Sequence, residues 1–268
     1  MRFVITGSTQ GIGRALAAEA AKQAHQVLIS GRTQAAVDAA LESIAAPHTQ
    51  VIGQTSDVTD PQAVQALWDR AAEAFGGVDV WINNAGLART TWPILDVPED
   101  QVEAMLHTNM RGTINGSRVA ARGMLQQGGG RLFNMLGGGS DGEYFPGMGV
   151  YGSTKRGLDY FTRALAQELK DSPVLVGRVR PGMIVTEGVK REIAADPASF
   201  AKARKVMNIL CDQPETVAPF LIEKMLAFNK TGSKIAWLSG GKMAQRFLLA
   251  KIKPRPDQFA GIDIPTQA

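Results

Sequence analysis

Tyr151 and Lys155 stand four residues apart and open a segment with helical apolar spacing. Residues i and i+4 share one helix face, so a phenol and an ammonium would point into the same space. An unperturbed phenol titrates near pH ~10, too high for ready proton exchange at neutral pH. A nearby cation favours the phenolate, and a fall of about three units corresponds to roughly 4 kcal/mol of differential stabilisation. The pair therefore suits proton transfer on a carbonyl or an alcohol, with Tyr151 as acid and base and Lys155 lowering its pKa. The spacing alone is common on exposed helices. Just upstream, a strand end at Asn134 runs into Gly137-Gly138-Gly139-Ser140, whose glycines leave the path of the loop open.

The elements that must position this pair alternate along the chain. Residues 3–6, 26–30, 50–53, 78–82, 131–134, 174–179 and 235–238 read as strands. Helical patterns lie near 12–24, 34–45, 60–75, 99–127, 151–170 and 214–228. Strands alternating with helices of this length predict right-handed crossovers and an α/β, doubly wound sheet of about seven mainly parallel strands with helices on both faces. No repeat, low-complexity tract or linker interrupts the 268 residues, so 1–240 reads as one catalytic domain and 241–268 as a C-terminal basic amphipathic segment and tail.

Composition narrows the class. With 44% apolar and 20% charged residues the chain reads as a globular protein, and no apolar run reaches membrane-spanning length. A strand-like run from Arg2 leaves no room for a leader, which predicts a cytoplasmic location. The single cysteine, Cys211, excludes an internal disulfide, and the scattered His25, His48 and His107 argue against a metal site. The net charge of +4 is spread rather than interleaved with aromatics, which suits an anionic cofactor or a membrane surface better than nucleic acid.

The first turn runs Thr6-Gly7-Ser8-Thr9-Gln10-Gly11-Ile12-Gly13 between a strand and a helix. Glycines there let a backbone approach a pyrophosphate, and a helix N-terminus offers free N–H groups and partial positive charge. A bare strand–helix turn is the bland alternative. The second strand ends in Ser30-Gly31-Arg32, where an acidic residue would serve a ribose hydroxyl. Arg32 suits a 2′-phosphate instead, pointing to NADP(H) over NAD(H), unless it is an ordinary solvated charge. Asp57 and Val58 follow the third strand, where the carboxylate could meet an adenine amino group or cap the next helix, a task Asp60 does better. Asn83-Asn84-Ala85-Gly86 closes the fourth strand and could border a cofactor or simply turn the chain.

These motifs, with Asn109, Tyr151-x-x-x-Lys155 and Pro181-Gly182, resemble the short-chain dehydrogenase/reductase superfamily in order and spacing over about 1–240. The resemblance implies a Rossmann-type domain holding a nicotinamide cofactor. Tyr151 would be the general acid/base, Lys155 would hold the nicotinamide ribose, and Asn109 would position a relay water. Asn84, Ala85 and Gly86 would border the cofactor, while Ile184 and Thr186 would meet its carboxamide and phosphates. Dimers or tetramers are common in the superfamily. One departure stands out: the superfamily's serine position falls on Gly137 or Gly138, and Ser140 lies eleven before Tyr151. Either Ser140 takes the role or the site lacks that hydroxyl.

A narrower resemblance, to the chlorophyll(ide) b reductase branch, rests on Asn134-Met-x-Gly-x-Gly-Ser140, Val150 to Leu158, Pro181-Gly-Met183 and Asn208 to Ala218. It implies NADPH-dependent reduction of a 7-formyl group to hydroxymethyl, with a serine at the Ser140 position. Leu136 departs from the acidic residue of that branch. The missing plastid-targeting stretch points to a bacterial relative. Residues 186–211 occupy the superfamily's substrate lid, mixing apolar residues with cations that could meet propionate-like acids or simply face solvent. Residues 242–253 form a basic amphipathic pattern suited to an anionic membrane surface or to a neighbouring subunit. The rival readings are a reductase or alcohol dehydrogenase of smaller substrates and a non-catalytic NADP(H) sensor.

Overall fold

A computed structural model of the chain describes residues 1–44 and 49–262; His48 and the end of the tail, 263–268, lie outside them. Six strands come first: β1 (Arg2–Ile5), β2 (Gln26–Gly31), β3 (Val51–Thr55), β4 (Val80–Asn83), β5 (Gly130–Met135) and β6 (Val174–Arg180). A short separate ribbon pairs β7 (Met183–Ile184) with β8 (Cys211–Asp212), and β9 (Lys234–Ala236) returns to the main sheet. The seven-stranded sheet runs β3-β2-β1-β4-β5-β6-β9, and its pairings are parallel. The strand order reverses between β1 and β4, which opens a crevice at their C-terminal ends. The predicted strands fall in that sheet within a few residues of their expected bounds.

Alternation along β1 sends Phe3 and Ile5 to one face and Val4 to the other. The Phe3 face packs on α1 (Gly11–Lys22), α2 (Gln34–Ile44) and, later in the chain, residues 214–226. The opposite face packs on α3 (Pro61–Phe75) and two further helices through Trp68, Trp81, Met124 and Ala166. Asp60 caps α3 by accepting from the Gln62 N–H at 2.9 Å, as the sequence suggests.

The expected 99–127 helix is three pieces: α4 (Glu99–Met105), a π-helical stretch Leu106–Gly112, and α5 (Thr113–Gln127). The widened turn carries Asn109, and such insertions tend to occur at functional sites. Downstream come α6 (Gly149–Glu168), α7 (Glu187–Ala195), α8 (Pro197–Leu210), α9 (Pro214–Leu226) and α10 (Gly240–Leu249). Helices α7 and α8 occupy residues 187–210, the stretch expected from the sequence to be a substrate lid.

A buried polar chain pins the helices that carry the site. Asn83 Nδ2 donates to Asn134 Oδ1 at 2.8 Å and to Ser117 Oγ at 3.0 Å, tying β4 to β5 and α5. Asn134 Nδ2 donates to Thr162 Oγ1 at 3.0 Å, which reaches α6. Each buried amide group finds a partner, as a low-dielectric interior requires.

The C-terminal segment is fastened to β8 and α8. Asp212, fully buried on β8, receives Trp237 Nε1 at 2.7 Å, Arg246 at 2.8 Å and Arg255 at 2.5 Å. These cations and donors hold the Asp212 carboxyl below its usual range against the opposing effect of burial. Phe259 buries against Phe200, edge to face with ring centroids 5.0 Å apart, in a small core shared with Val185, Ile193 and Cys211. The outer side of α10 leaves Phe247, Leu248 and Leu249 exposed, followed by Ile252. Among the described residues no helix is long and apolar enough to cross a membrane.

Candidate active site

At the switch point the chain builds a cradle from backbone. Gly7 has φ +60°, and a Cβ there would lie 2.7 Å from Ala85 Cα, so the turn after β1 touches the turn after β4. Asn84 staples them by donating from Nδ2 to the carbonyls of Thr6 and Gly7, both at 2.9 Å. That amide closes on Gly13, where a Cβ would meet Asn84 Nδ2 at 2.3 Å. Helix α1 starts at Gly11 with no side-chain cap, leaving its first N–H groups without helical acceptors beside Ile12 and Gly13. Such an end favours an anion.

The other expected cofactor residues divide into two groups. Thr9 packs beside Gly31, which brings the exposed Arg32 to the same turn, and Arg32 forms no ion pair among the described residues. Thr186, the N-cap of α7, lies over Gly11, with its Cγ2 3.2 Å from a built Cβ. Pro181 and Ile184 are buried, and Gly182 turns the chain at φ +87°. Ser8 departs from expectation. Its Oγ donates to Ile5 O at 2.6 Å and accepts the Ser30 N–H, while its own N–H donates to Ser30 O. Ser8 therefore braces the turn and has no free donor for a phosphate. Asp57 is exposed and accepts from Thr59 N and Oγ1, closing its own turn. Val58 is buried and packs toward Gly112 of the π-helical stretch.

The expected chemical residues converge. Asn109, fully buried, accepts the Leu87 N–H at 2.7 Å and donates to Leu87 O and Thr154 Oγ1. Its amide is thereby locked against the residue that follows Gly86. A Cβ at Gly86 would meet Asn109 Oδ1 at 3.4 Å and Lys155 Nζ at 3.5 Å, so those two groups flank one point. Lys155 is buried, and its Nζ donates to Met135 O at 3.1 Å. Tyr151 projects from the same face of α6. A Cβ at Gly137 would lie 2.2 Å from Tyr151 Oη, so the phenol occupies the room that a side chain there would need.

Ser140 sits in a tight turn. Its N–H donates to Gly137 O at 3.2 Å, and Gly139 crosses Gly152 so closely that a Cβ would stand 2.6 Å from Gly152 Cα. The turn thus lies on the first turn of α6. Ser140 Oγ is fully buried and has no hydrogen-bond partner among the described residues. A buried hydroxyl in that state is an available donor and acceptor.

The expected electrostatics are corrected. Burial pushes Tyr151 up to about 12 and Lys155 down to about 8. Lys155 Nζ stands 5.7 Å from the Tyr151 ring centroid and is bonded to a carbonyl, so desolvation outweighs the cation's pull on the phenol. At neutral pH the phenol keeps its proton and most Lys155 amines stay charged. Because the folded pKa of Lys155 lies below its unfolded value, the unfolded chain holds more protons between about pH 8 and 10.5. Folded stability from this group therefore rises with pH across that window. An NMR titration of isotope-labelled lysine in the unliganded chain should give a Lys155 midpoint near 8; an ordinary lysine midpoint would contradict this burial.

Comparison with known proteins places the chain as a whole. The short chain dehydrogenase family pattern matches residues 2–197. The chain belongs to the short chain dehydrogenase family. It is 33% identical over 267 residues to a probable chloroplastic chlorophyll(ide) b reductase of Oryza sativa subsp. japonica, covering 93% of this chain and 51% of that protein. It therefore spans about half the length of that relative. A chloroplastic chlorophyll(ide) b reductase of Arabidopsis thaliana is 34% identical over 237 residues, 86% of this chain and 67% of that one. A short chain dehydrogenase from Burkholderia cenocepacia J2315, solved in complex with NADP, superposes with a TM-score of 0.75 at 29% identity, over 90% of this chain and 97% of that one. Among the described residues, no group of three or more metal-ligating side chains gathers.

Proposed function

We propose that this protein is an NADPH-dependent carbonyl reductase whose substrate is the 7-formyl group of chlorophyll(ide) b. The observation that carries the reductase reading is the seat of Tyr151. Its protonated phenol fits against Gly137, with Lys155 and Asn109 meeting at Gly86 beside the glycine cradle. The cradle fits a dinucleotide: Gly7, Gly11 and Gly13 leave backbone open to a pyrophosphate, Arg32 suits a 2′-phosphate, and Thr186 stands over the turn. When bound, NADPH supplies the hydride. Tyr151 Oη donates its proton to the oxygen of the reacting carbonyl, with Ser140 Oγ as a second donor to that oxygen. Lys155 would hold the nicotinamide ribose and, through a relay water positioned by Asn109, return a proton to the phenol. The protein's own contribution is distance, face and proton supply.

The pigment part of the reading draws on the similarity to the two chlorophyll(ide) b reductases. It also draws on apolar side chains at the approach to Tyr151. Exposed Ile94 packs on Gly149, and exposed Phe145 lies near Gly138, with Met148 between them in sequence and Tyr151. These would suit a wide apolar ring system. Exposed Phe247, Leu248, Leu249 and Ile252, beside Lys251 and Lys253, support a peripheral contact with an anionic membrane surface, where such a pigment would reside.

Incubation of purified protein with NADPH and chlorophyllide b, followed by chromatography, should yield the 7-hydroxymethyl pigment. Reduction of simpler aldehydes without any pigment product would remove the pigment assignment and keep the reductase. For the cofactor, Arg32→Ala should raise the KM for NADPH about tenfold or more while leaving that for NADH nearly unchanged. Equal effects on the two would remove Arg32 from 2′-phosphate recognition.

A further inference from the structure

Arg89 lies three residues beyond Gly86, on the loop that Asn109 anchors through Leu87. Its Nε donates to Gln101 Oε1 at 2.8 Å. Its Nη1 is closed off from solvent yet has no hydrogen-bond acceptor among the described residues. The carboxylate oxygen facing it, Glu192 Oε1, stands 3.9 Å away, beyond hydrogen-bond range. The other Glu192 oxygen is already engaged, accepting the Thr90 N–H at 2.7 Å and Thr90 Oγ1 at 3.1 Å. Arg191 adds a second guanidinium, with Nε 3.8 Å from Glu192 Oε1. Partial burial, and then the nearby Arg89 charge, hold Arg191 below its usual range. Two cations thus share one carboxylate, and one buried donor has no partner. A buried guanidinium donor in that condition calls for an acceptor.

The position of this cluster gives the acceptor a meaning. Glu192 and Arg191 sit on α7, whose first residue follows Thr186 over the glycine turn. Thr90 O presses on Gly147, where a Cβ would stand 2.1 Å away, just before the helix that carries Tyr151. Helix α7, the loop after β4 and the approach to Tyr151 therefore meet at this excess positive charge. We propose that Arg89 and Arg191 form a carboxylate-binding site for an acidic group of the carbonyl substrate. The inference rests on the reductase reading above and names its substrate class: carbonyl compounds that carry a free acid. Arg89 Nη1 supplies the buried donor, and the more exposed Arg191 supplies charge at the rim.

The test compares free acids with their methyl esters on the NADPH-loaded protein. Two pairs serve: chlorophyllide b with its methyl ester, and para-formylbenzoate with its methyl ester. Wild type should favour the acid in kcat/KM by about ten- to a hundredfold in at least one pair. That ratio should collapse toward one in Arg89→Gln and Arg191→Gln, with Arg191→Lys retaining part of it. Because each ratio is taken within one variant, losses from poor folding cancel. Acid and ester reduced equally by wild type in both pairs, or a preference that survives both Gln substitutions, would overturn the site and leave the reductase reading standing. An acid preference confined to the benzaldehydes would support the site while removing the pigment assignment. If nothing is reduced, the reductase reading fails, and calorimetric binding of the same compounds decides the site: tighter acid binding supports it, and equal binding overturns it.

Discussion

Tyr151→Phe should lower kcat by about a thousandfold, within the roughly 10²–10⁴ range that a positioned proton donor supplies. The substitution removes one oxygen and leaves the ring on α6, so the packing against Gly137 is relieved rather than broken. Lys155 keeps its bond to Met135 O, and Asn109 keeps Leu87 and Thr154. Cofactor affinity should therefore change by less than about threefold while turnover collapses, since the lost interaction serves the transition state more than the bound ground state. Steady-state kinetics with a separate fluorescence titration of the cofactor measure both quantities. Parallel losses of binding and turnover would instead make Tyr151 a binding residue.

Gly137→Ser reinstates a hydroxyl at one of the two positions where the superfamily pattern puts its serine, and it should inactivate this protein. The reason is spatial. Any Cβ at residue 137 arrives 2.2 Å from Tyr151 Oη and 3.3 Å from Lys155 Cγ, so the phenol must leave its seat. A displacement of about 1 Å in a reacting group costs on the order of 10²-fold in rate. Overpacking of this kind also costs about 1–3 kcal/mol of stability. Gly137→Ala should lose as much activity as Gly137→Ser, because the clash comes from Cβ and not from the hydroxyl. Thermal unfolding followed alongside kcat separates displacement from unfolding. Full activity in Gly137→Ser would show that the phenol is seated elsewhere and that Ser140 is dispensable.

These two substitutions also mark what the sequence could reveal. Strand–helix alternation made the sheet legible, because each buried strand is a short β-rich run bounded by turn residues. The convergence of Tyr151, Lys155 and Asn109 followed from motif order. The fate of the phenol's neighbours did not, since it depends on contacts between residues distant in sequence. Periodicity over 99–127 cannot register the π-helical turn at Asn109, where one widened turn leaves the apolar spacing nearly intact. Ser8 looked like part of a phosphate loop, yet its hydroxyl and N–H close onto Ile5 and Ser30. Lys155 was expected to draw the Tyr151 pKa down; burial of both groups reversed that balance. Asp212, Arg255 and Phe259 gave no local signal, because the clasp they make joins elements more than forty residues apart. Asn83 and Asn134 read as turn and strand-end residues, while in the fold they are the bond that holds β4, β5 and α6 in register.

The most direct test of hydride delivery and proton donation at Tyr151 is isotope transfer. NADPH carrying deuterium on the transferring face of nicotinamide C4 would be incubated with chlorophyllide b, and the product alcohol analysed by mass spectrometry. One deuterium is expected on the new hydroxymethyl carbon with wild type, and about a thousandfold less of that product per unit time with Tyr151→Phe. A reduced product lacking deuterium when either C4 face is labelled, or equal label transfer by Tyr151→Phe, would contradict this mechanism.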